Sequence, residues 1–256
     1  MPDSTDYQTK KQALRRWLTV YGRNPVEACL QDAQLRPKVL HLADSNQKSD
    51  KLDRLIALAE KRGCDVRFHD RDALARISKN KKQDQGVALD VECQAFSDLS
   101  VFLQSTREQT CRLILLDRVT NPQNLGMILR SITAAGITGV IVPERGCAPL
   151  GPLVAKASAG TLFHAPVLRC TSSSEALDAL LGLGFTCYTL SSHTESNFFE
   201  EHIPAKAVFV LGNESEGVAP DIASRCQAKV RIPMHNGVES LNVAITAALI
   251  AYYLDR

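Results

Sequence analysis

The chain has 256 residues, 45% of them hydrophobic and 23% charged, with a formal net charge of +2. This is the balance of an ordinary soluble globular protein, long enough for two domains with cores of their own. The charge falls well short of the strongly basic balance common among nucleic-acid binders, so charge alone does not point to RNA. Cys29, Cys64, Cys93, Cys111, Cys147, Cys170, Cys187 and Cys226 occur singly, with no CxxC pair. That spacing excludes a disulfide framework or a zinc site, and reduced, mostly buried thiols are expected, with no metal. Asp3 and Asp6 precede any apolar run, and the longest apolar run, Val243 to Leu254, is interrupted by Thr246. No targeting or membrane-spanning segment is therefore read, and a cytoplasmic protein is expected.

Residues 1–20 read as a polar tail carrying Lys10, Lys11, Arg15 and Arg16. From Tyr21 short elements alternate: a helix from Pro25, a strand over Lys38 to Leu42, and a helix over Ser49 to Arg62. The last has apolar residues at helical spacing, Leu52, Leu55, Ile56 and Ala59. A strand at Asp65 to Phe68, a helix at Asp70 to Ile77 and a strand at Gly86 to Val91 complete a small α/β domain over 21–95. Residues 96–110 read as a linker, and 111–256 as a second domain. Its strand candidates are Arg112 to Leu116, Gly139 to Val142, Ala165 to Leu168, Phe185 to Leu190, Ala207 to Leu211 and Lys229 to Pro233. Helices are expected near Asn124 to Ala135, Pro152 to Ala159, Ser174 to Leu183, Pro220 to Cys226 and Leu241 to Tyr253. Strands alternating with helices imply an α/β fold with a mostly parallel sheet covered on both faces. Ligands of such sheets bind at the carboxyl ends of the strands, so the loops after Leu116, Leu190, Leu211 and Pro233 are where chemistry is expected.

Neither GxGxxG nor a Walker-type phosphate loop occurs, and no GxSxG elbow supports serine hydrolase chemistry. Three polar, glycine-bearing loops follow apolar strands instead. The first runs from Asp117 to Gly126 into a helix bearing Arg130; Asn124 is suited to capping that helix, and Arg130 reads either as a surface charge or as a ligand contact. The second is Gly212-Asn213-Glu214-Ser215-Glu216-Gly217, whose glycines let a backbone approach a ligand closely. In the third, Pro233 to Asn242, Ser240 and Asn242 lie where the last helix begins, so either could cap it or face a ligand. That last helix is apolar nearly all round, with Leu241, Val243, Ile245, Leu249, Ile250 and Leu254. A helix without a polar face is buried on every side, which suggests packing against another subunit. The first 105 residues carry 18 Lys and Arg against 15 Asp and Glu, including the run Lys79, Lys81 and Lys82. This half is the candidate contact for a polyanion, although such a run equally suits a solvated loop.

In this order, the three segments resemble the motifs of the SpoU/TrmH family of RNA 2′-O-methyltransferases, part of the SPOUT class. Asn121, Asn124, Gly126 and Arg130 match the Asn-x-x-Asn-x-Gly pattern and its following Arg. Gly212, Glu214 and Gly217 match Gly-x-Glu-x-x-Gly, and Pro233, Met234 and Ser240 to Val243 match Pro-Met followed by Ser-Leu-Asn-Val. The similarity covers about Leu113 to Tyr253. Tyr21-Gly22-Arg23-Asn24-Pro25-Val26 and Gln85-Gly86-Val87 resemble, more loosely, the start and end of the substrate-binding domain in the ribosomal-RNA branch of the family. Ser215, Ala244 and Thr133 depart from the residues common at their positions.

The resemblance implies a deep trefoil knot, an exception to the rule of unknotted connections, and a homodimer. It implies methyl transfer from S-adenosylmethionine to a ribose 2′-hydroxyl of RNA, with large-subunit ribosomal RNA favoured over transfer RNA. Arg130, Asn124, Glu214, Ser240 and Asn242 are the expected catalytic set. The cofactor set is Leu190, Leu211, Gly212, Gly217, Ile232, Met234 and Leu241. Arg23, Lys79, Lys81 and Lys82 are the expected RNA contacts. Two alternatives are a base-methylating enzyme of the same class, which fits the Ser-Leu-Asn motif poorly, and a non-catalytic RNA-binding ribosome-assembly factor.

Overall fold

Burial alternates along Trp17–Tyr21 (β1), and this strand pairs antiparallel with Val87–Glu92 (β4), residue for residue, from Trp17 opposite Glu92 to Tyr21 opposite Ala88. The computed structural model describes residues 16–106, 109–192, 194–213 and 215–254. Two units result, Met1–Gln94 with Leu150–Pro152, and Ala95–Pro149 with Leu153–Arg256. Strand β1 begins four residues ahead of the domain start read from the sequence.

In the first unit the chain continues through α1 (Arg23–Gln31), β2 (Arg36–Ala43), α2 (Asp50–Lys61), β3 (Asp65–His69) and α3 (Arg71–Ser78) to β4. The sheet order is β1-β4-β2-β3, with only the β2–β3 pair parallel. Ser49 and Asp70 start α2 and α3 by accepting the amides of Leu52 and Ala73. Buried Asp84 takes the Arg71 guanidinium, the Ser78 hydroxyl at 2.7 Å and the Gly86 amide at 2.9 Å, which fixes the loop before β4. A polar chain also crosses the sheet: His41 Nε2 lies 3.1 Å from Asp90, and its Nδ1 lies 2.9 Å from His69 Nε2. Desolvation and the neighbouring His41 hold His69 below the usual histidine pKa.

The second unit contains β5 (Ser97–Asp98), α4 (Leu99–Ser105), β6 (Cys111–Leu116), α5 (Pro122–Ala135), β7 (Gly139–Pro143), α6 (Pro152–Ala157) and β8 (Val167–Cys170). It continues through α7 (Ser173–Gly182), β9 (Thr186–Leu190), β10 (Lys206–Leu211), α8 (Pro220–Ala223), β11 (Ala228–Val230) and α9 (Val243–Leu254). Short 3-10 turns occupy Thr161–Phe163 and Phe198–Glu200. The seven strands run in the order β11-β9-β10-β6-β7-β8-β5, every neighbouring pair parallel. The expected parallel sheet is present. Its strands are nearly continuous apolar runs, because both faces are covered. Leu113, Leu115, Val208 and Val210 pack with Leu177, Leu180 and Leu99 on one face. On the other face Phe209 meets Phe198, which packs at a tilt against Tyr253 of α9, and Arg112 reaches the carbonyl of Leu254.

Differences from the sequence reading are local. Residues 96–110, read as linker, include β5 and α4, and Leu99 belongs to the core. The strand expected from Ala165 starts at Val167, because the preceding chain is turned: the Val167 amide bonds the Ala165 carbonyl. The strand expected to reach Pro233 stops at Val230, and the helix expected to reach Cys226 stops at Ala223. No helix among the described residues is long and apolar enough to cross a membrane.

Candidate active site at the carboxyl edge of the parallel sheet

Register fixes where the loops leave the sheet. Leu211 of β10 lies opposite Leu116 of β6, and Val230 of β11 opposite Leu190 of β9. The strands are parallel, so the segments after residues 116, 190, 211 and 230 all emerge along one edge. The three glycine-bearing loops are among them.

At the first, the Asp117 amide bonds the Leu211 carbonyl at 2.8 Å, continuing the sheet one residue beyond its last strand pair. Asp117 is buried, and its carboxylate accepts the Ser173 hydroxyl at 2.7 Å and the Ala219 amide at 2.8 Å. No sequence motif singles this residue out. The available signal was a carboxylate directly after an all-apolar strand end, a position where a charge must find partners or not be buried at all.

Asn121, not Asn124, caps α5: its side chain accepts the Gln123 amide at 2.8 Å, with Pro122 at the first helical position. The expected cap is corrected for a simple reason, since the helix starts two residues before Asn124 and already encloses it. Asn124 is instead buried and accepts a hydrogen bond from Asn242 Nδ2 at 3.1 Å, across 118 positions of sequence. The same Asn242 side chain accepts the Ala244 amide through Oδ1 at 2.8 Å, so of the two cap candidates it is Asn242 that starts α9. Ser240 lies exposed two residues earlier. First and third loops thus meet at one amide pair.

Arg130 is brought to neither. It lies six residues beyond Asn124, about 240° around the helix, on the exposed stripe with Met127, which is 42% exposed. Glu214 lies outside the described residues. The loop around it is closed by paired bonds, Asn213 amide to Gly217 carbonyl at 3.0 Å and the reverse at 2.9 Å. A Cβ on Gly212 would lie 2.1 Å from the Gly217 carbonyl carbon. Gly212 is therefore required by close backbone approach rather than by backbone angle.

Of the expected cofactor set, Leu190 and Leu211 end β9 and β10, Gly212 and Gly217 form the second loop, and Ile232 is buried just past β11. Met234 is half-buried, Leu241 is half-buried ahead of α9, and residues 235–240 between them are exposed. In the first unit, the Arg23 amide bonds Gln85 Oε1 at 3.0 Å, and Asn80 Nδ2 bonds the Tyr21 hydroxyl at 2.9 Å. These bonds gather Arg23 with the loop bearing Lys79, Lys81 and Lys82. Lys81 pairs with Asp72 at 2.6 Å; Lys82 is exposed.

Desolvation pushes Cys147 up to about 11 and Cys170 up to about 12, so both stay protonated. No cluster of three or more potential metal-ligating side chains occurs among the described residues. Helix α9 leaves Ile245, Leu249 and Tyr252 exposed at 52, 38 and 55%, and with Phe199 they line an open apolar cleft of about 370 Å³.

Residues 110–252 match the model of the SpoU rRNA Methylase family, and residues 19–95 match that of RNA 2′-O ribose methyltransferase substrate binding. A Staphylococcus aureus protein named for the TrmH family of tRNA/rRNA methyltransferases is 33% identical over 174 residues, 67% of this chain and 70% of that protein. A Staphylococcus saprophyticus protein named for the same family is 27% identical over 241 residues, covering 93 and 95%. Among solved structures, the SpoU methyltransferase AviRb of Streptomyces viridochromogenes, in complex with AdoMet, superposes with a TM-score of 0.61 at 21% identity. That superposition covers 99% of this chain and 93% of AviRb. An rRNA methyltransferase of Sinorhizobium meliloti gives 0.62 at 23%, covering 98 and 89%. These two likenesses establish the fold.

Proposed function

The chain belongs to the SpoU family of RNA methylases, and from that premise we propose that it methylates a ribose 2′-hydroxyl of RNA with S-adenosylmethionine as donor. Large-subunit ribosomal RNA is the favoured substrate. One observation carries the reading: Asn124 and Asn242, from the first and third loops, meet at 3.1 Å on the carboxyl edge of the parallel sheet. A polar pair joining two distant segments at a ligand-binding edge suits recognition of a sugar hydroxyl.

The residues at this edge fit the donor. Leu211 and Ile232 are buried, Leu190, Met234 and Leu241 are half-buried, and Gly212 and Gly217 bring main chain close to main chain. Apolar cover with main-chain donors and acceptors is what an adenosyl group requires. A knotted C-terminal segment belongs to the same proposal. S-adenosylmethionine supplies a sulfonium-bound methyl whose departure leaves a neutral thioether.

The 2′-hydroxyl would lose its proton to solvent as its oxygen bonds to the methyl carbon, the sulfur keeping the electron pair of the broken S–C bond. A ribose hydroxyl is a poor nucleophile at neutral pH and needs positioning. Arg130 holds the phosphate next to the target ribose; as an arginine it stays protonated and is not the resting base. Asn124, Ser240 and Asn242 shape the ribose site, and Glu214 fixes Arg130 or the RNA. Arg23, Lys79, Lys81 and Lys82 in the first unit contact RNA backbone. The apolar stripe of α9 supports a homodimer, and a second copy would add to the surroundings of Arg130, whose side chain has no hydrogen bond or ion pair among the described residues of one chain.

Nucleoside mass spectrometry of RNA from cells with and without the gene tests the reading. Loss of one 2′-O-methylated nucleoside from ribosomal RNA is expected; loss from transfer RNA would keep the chemistry and move the substrate. No change in either pool would favour an assembly factor. Arg130→Ala is expected to abolish turnover, and near-normal turnover with unchanged RNA binding would refute its role.

A further inference from the structure

Arg118 is a non-glycine residue in the left-handed region, at φ 58°, immediately after the buried carboxylate of Asp117. Such a backbone persists only where the surroundings hold it, and here four contacts do so. The Arg118 carbonyl accepts from Asn213 Nδ2 at 3.2 Å. Its guanidinium donates to Glu216 at 2.6 Å and to the Gly217 carbonyl at 3.3 Å, while Nε faces Asp117 at 3.5 Å. Three contacts on the second glycine loop, at Asn213, Glu216 and Gly217, therefore come from one residue of the first. Its aliphatic stem passes the loop after β7: a Cβ on Gly146, itself at φ 91°, would lie 3.4 Å from Arg118 Cγ.

Asp117 extends the same device. Its carboxylate binds the Ala219 amide, two residues past the second loop, and the Ser173 hydroxyl at the start of α7. Asp117 and Arg118 together thus grip the loop at Asn213, Glu216, Gly217 and Ala219. The charge logic is closed, because the buried carboxylate has Arg118 as its counter-ion and Arg118 has Glu216 as a second anion. Desolvation opposes the guanidinium charge, but the Glu216 hydrogen bond and Asp117 outweigh it and raise the Arg118 pKa. Salt bridges this exposed add little to global stability, so the effect falls on the shape of the loop.

We propose that Arg118 and Asp117 are positioning residues that set the second glycine loop, and with it the cofactor-binding edge, without touching substrate. The assignment of that loop to the cofactor rests on the function proposed above; the clamp itself does not.

The variants are Arg118→Gln, which keeps hydrogen-bonding capacity and removes the charge, and Arg118→Lys, Glu216→Gln and the Arg118→Gln/Glu216→Gln double variant, all in the full chain. Hydrogen exchange reads the clamp directly. Exchange of the Asn213, Gly217 and Ala219 amides is expected to accelerate roughly tenfold in Arg118→Gln, with amides of β6 and β10 unchanged. Calorimetric titration with S-adenosylmethionine is expected to show about a fivefold weaker Kd in Arg118→Gln, partial rescue in Arg118→Lys, and no further loss in the double variant. RNA affinity should not change. Unchanged exchange of the three amides in Arg118→Gln would overturn the clamp. So would weaker RNA binding at unchanged cofactor affinity, which would make Arg118 a phosphate contact. Wild-type protein that fails to bind S-adenosylmethionine would refute the proposed function, while the exchange result still decides the clamp.

Discussion

Gly126 offers a test in which two physical terms of opposite sign compete. It lies inside α5, without a positive φ, so an alanine there would ordinarily stabilise the helix by about 1 kcal/mol. A Cβ at this position, however, would lie 2.5 Å from the Ala157 Cβ, 2.8 Å from the Val154 carbonyl oxygen and 2.9 Å from the Ser158 amide nitrogen. Two of these are backbone atoms of the α6 segment, which cannot rotate aside as a side-chain tip would. The segment must retreat by about 1 Å, and forced overpacking of this kind costs roughly 2–3 kcal/mol. Gly126→Ala is thus expected to destabilise by a net 1–2 kcal/mol, about 3–6 °C in Tm for a domain of this size.

Differential scanning calorimetry of the full chain reads the sign, with Gly182→Ala as control. Gly182 ends α7, also without a positive φ, and a Cβ there meets nothing within 4 Å; its Tm should hold or rise slightly. Adding Ala157→Gly to Gly126→Ala removes the shortest contact but leaves the Val154 carbonyl, so about half the loss should return. A Tm for Gly126→Ala that rises with the control would mean that α6 yields freely, and the close-packing argument would fail.

Other expectations follow from the same contacts. Gly212→Ala should disrupt the loop, since its Cβ would lie 2.1–2.2 Å from Gly217 and Val218 backbone atoms; calorimetry should find cofactor binding lost, and retained affinity would contradict the geometry. Asn242→Ala removes both a helix cap and the bond to Asn124, and should cost roughly 1–2 kcal/mol in denaturant unfolding together with most of the activity. Leu249→Glu, on the exposed stripe of α9, should halve the mass seen by light scattering if two copies pair there; an unchanged mass would remove that face from the interface. Burial pushes Cys29, Cys170 and Cys187 up to about 12. Between pH 9 and 12 the native thiols keep protons that unfolded thiols have lost, so stability falls as pH rises above 9, by about 1 kcal/mol per thiol at pH 10. Equal unfolding midpoints at pH 8.5 and 10 would refute that assignment.

The sheet was legible in the sequence because its evidence is local. Apolar runs such as Cys111–Leu116 and Lys206–Leu211 must be strands buried on both faces, and the glycine-bearing loops follow them directly. Boundaries shifted where a competing local bond decided them, as at Asn121, whose side chain rather than that of Asn124 takes the Gln123 amide. What sequence could not give was pairing across distance. Asn124 and Asn242 each read as a possible cap, and only folding shows that one amide caps while also bonding the other across 118 residues.

Asp117 and Arg118 were passed over because neither is odd in isolation; a charged pair after a strand is also how an ordinary exposed turn begins. Their meaning lies in Ser173, Asn213, Glu216 and Ala219, residues brought in by two other parts of the chain. Arg130 shows the converse. Its motif position marks it strongly, yet in one chain it stands on the exposed stripe of α5, apart from the Asn124–Asn242 pair. A motif states which residues act together and is silent on whether one chain suffices to assemble them. If turnover requires two copies, mixing Arg130→Ala chains with Asn242→Ala chains should restore part of the activity that each variant lacks alone. No recovery in mixed dimers would place both residues' work within one chain, and Arg130 would then have to reach the Asn pair by a movement of α5.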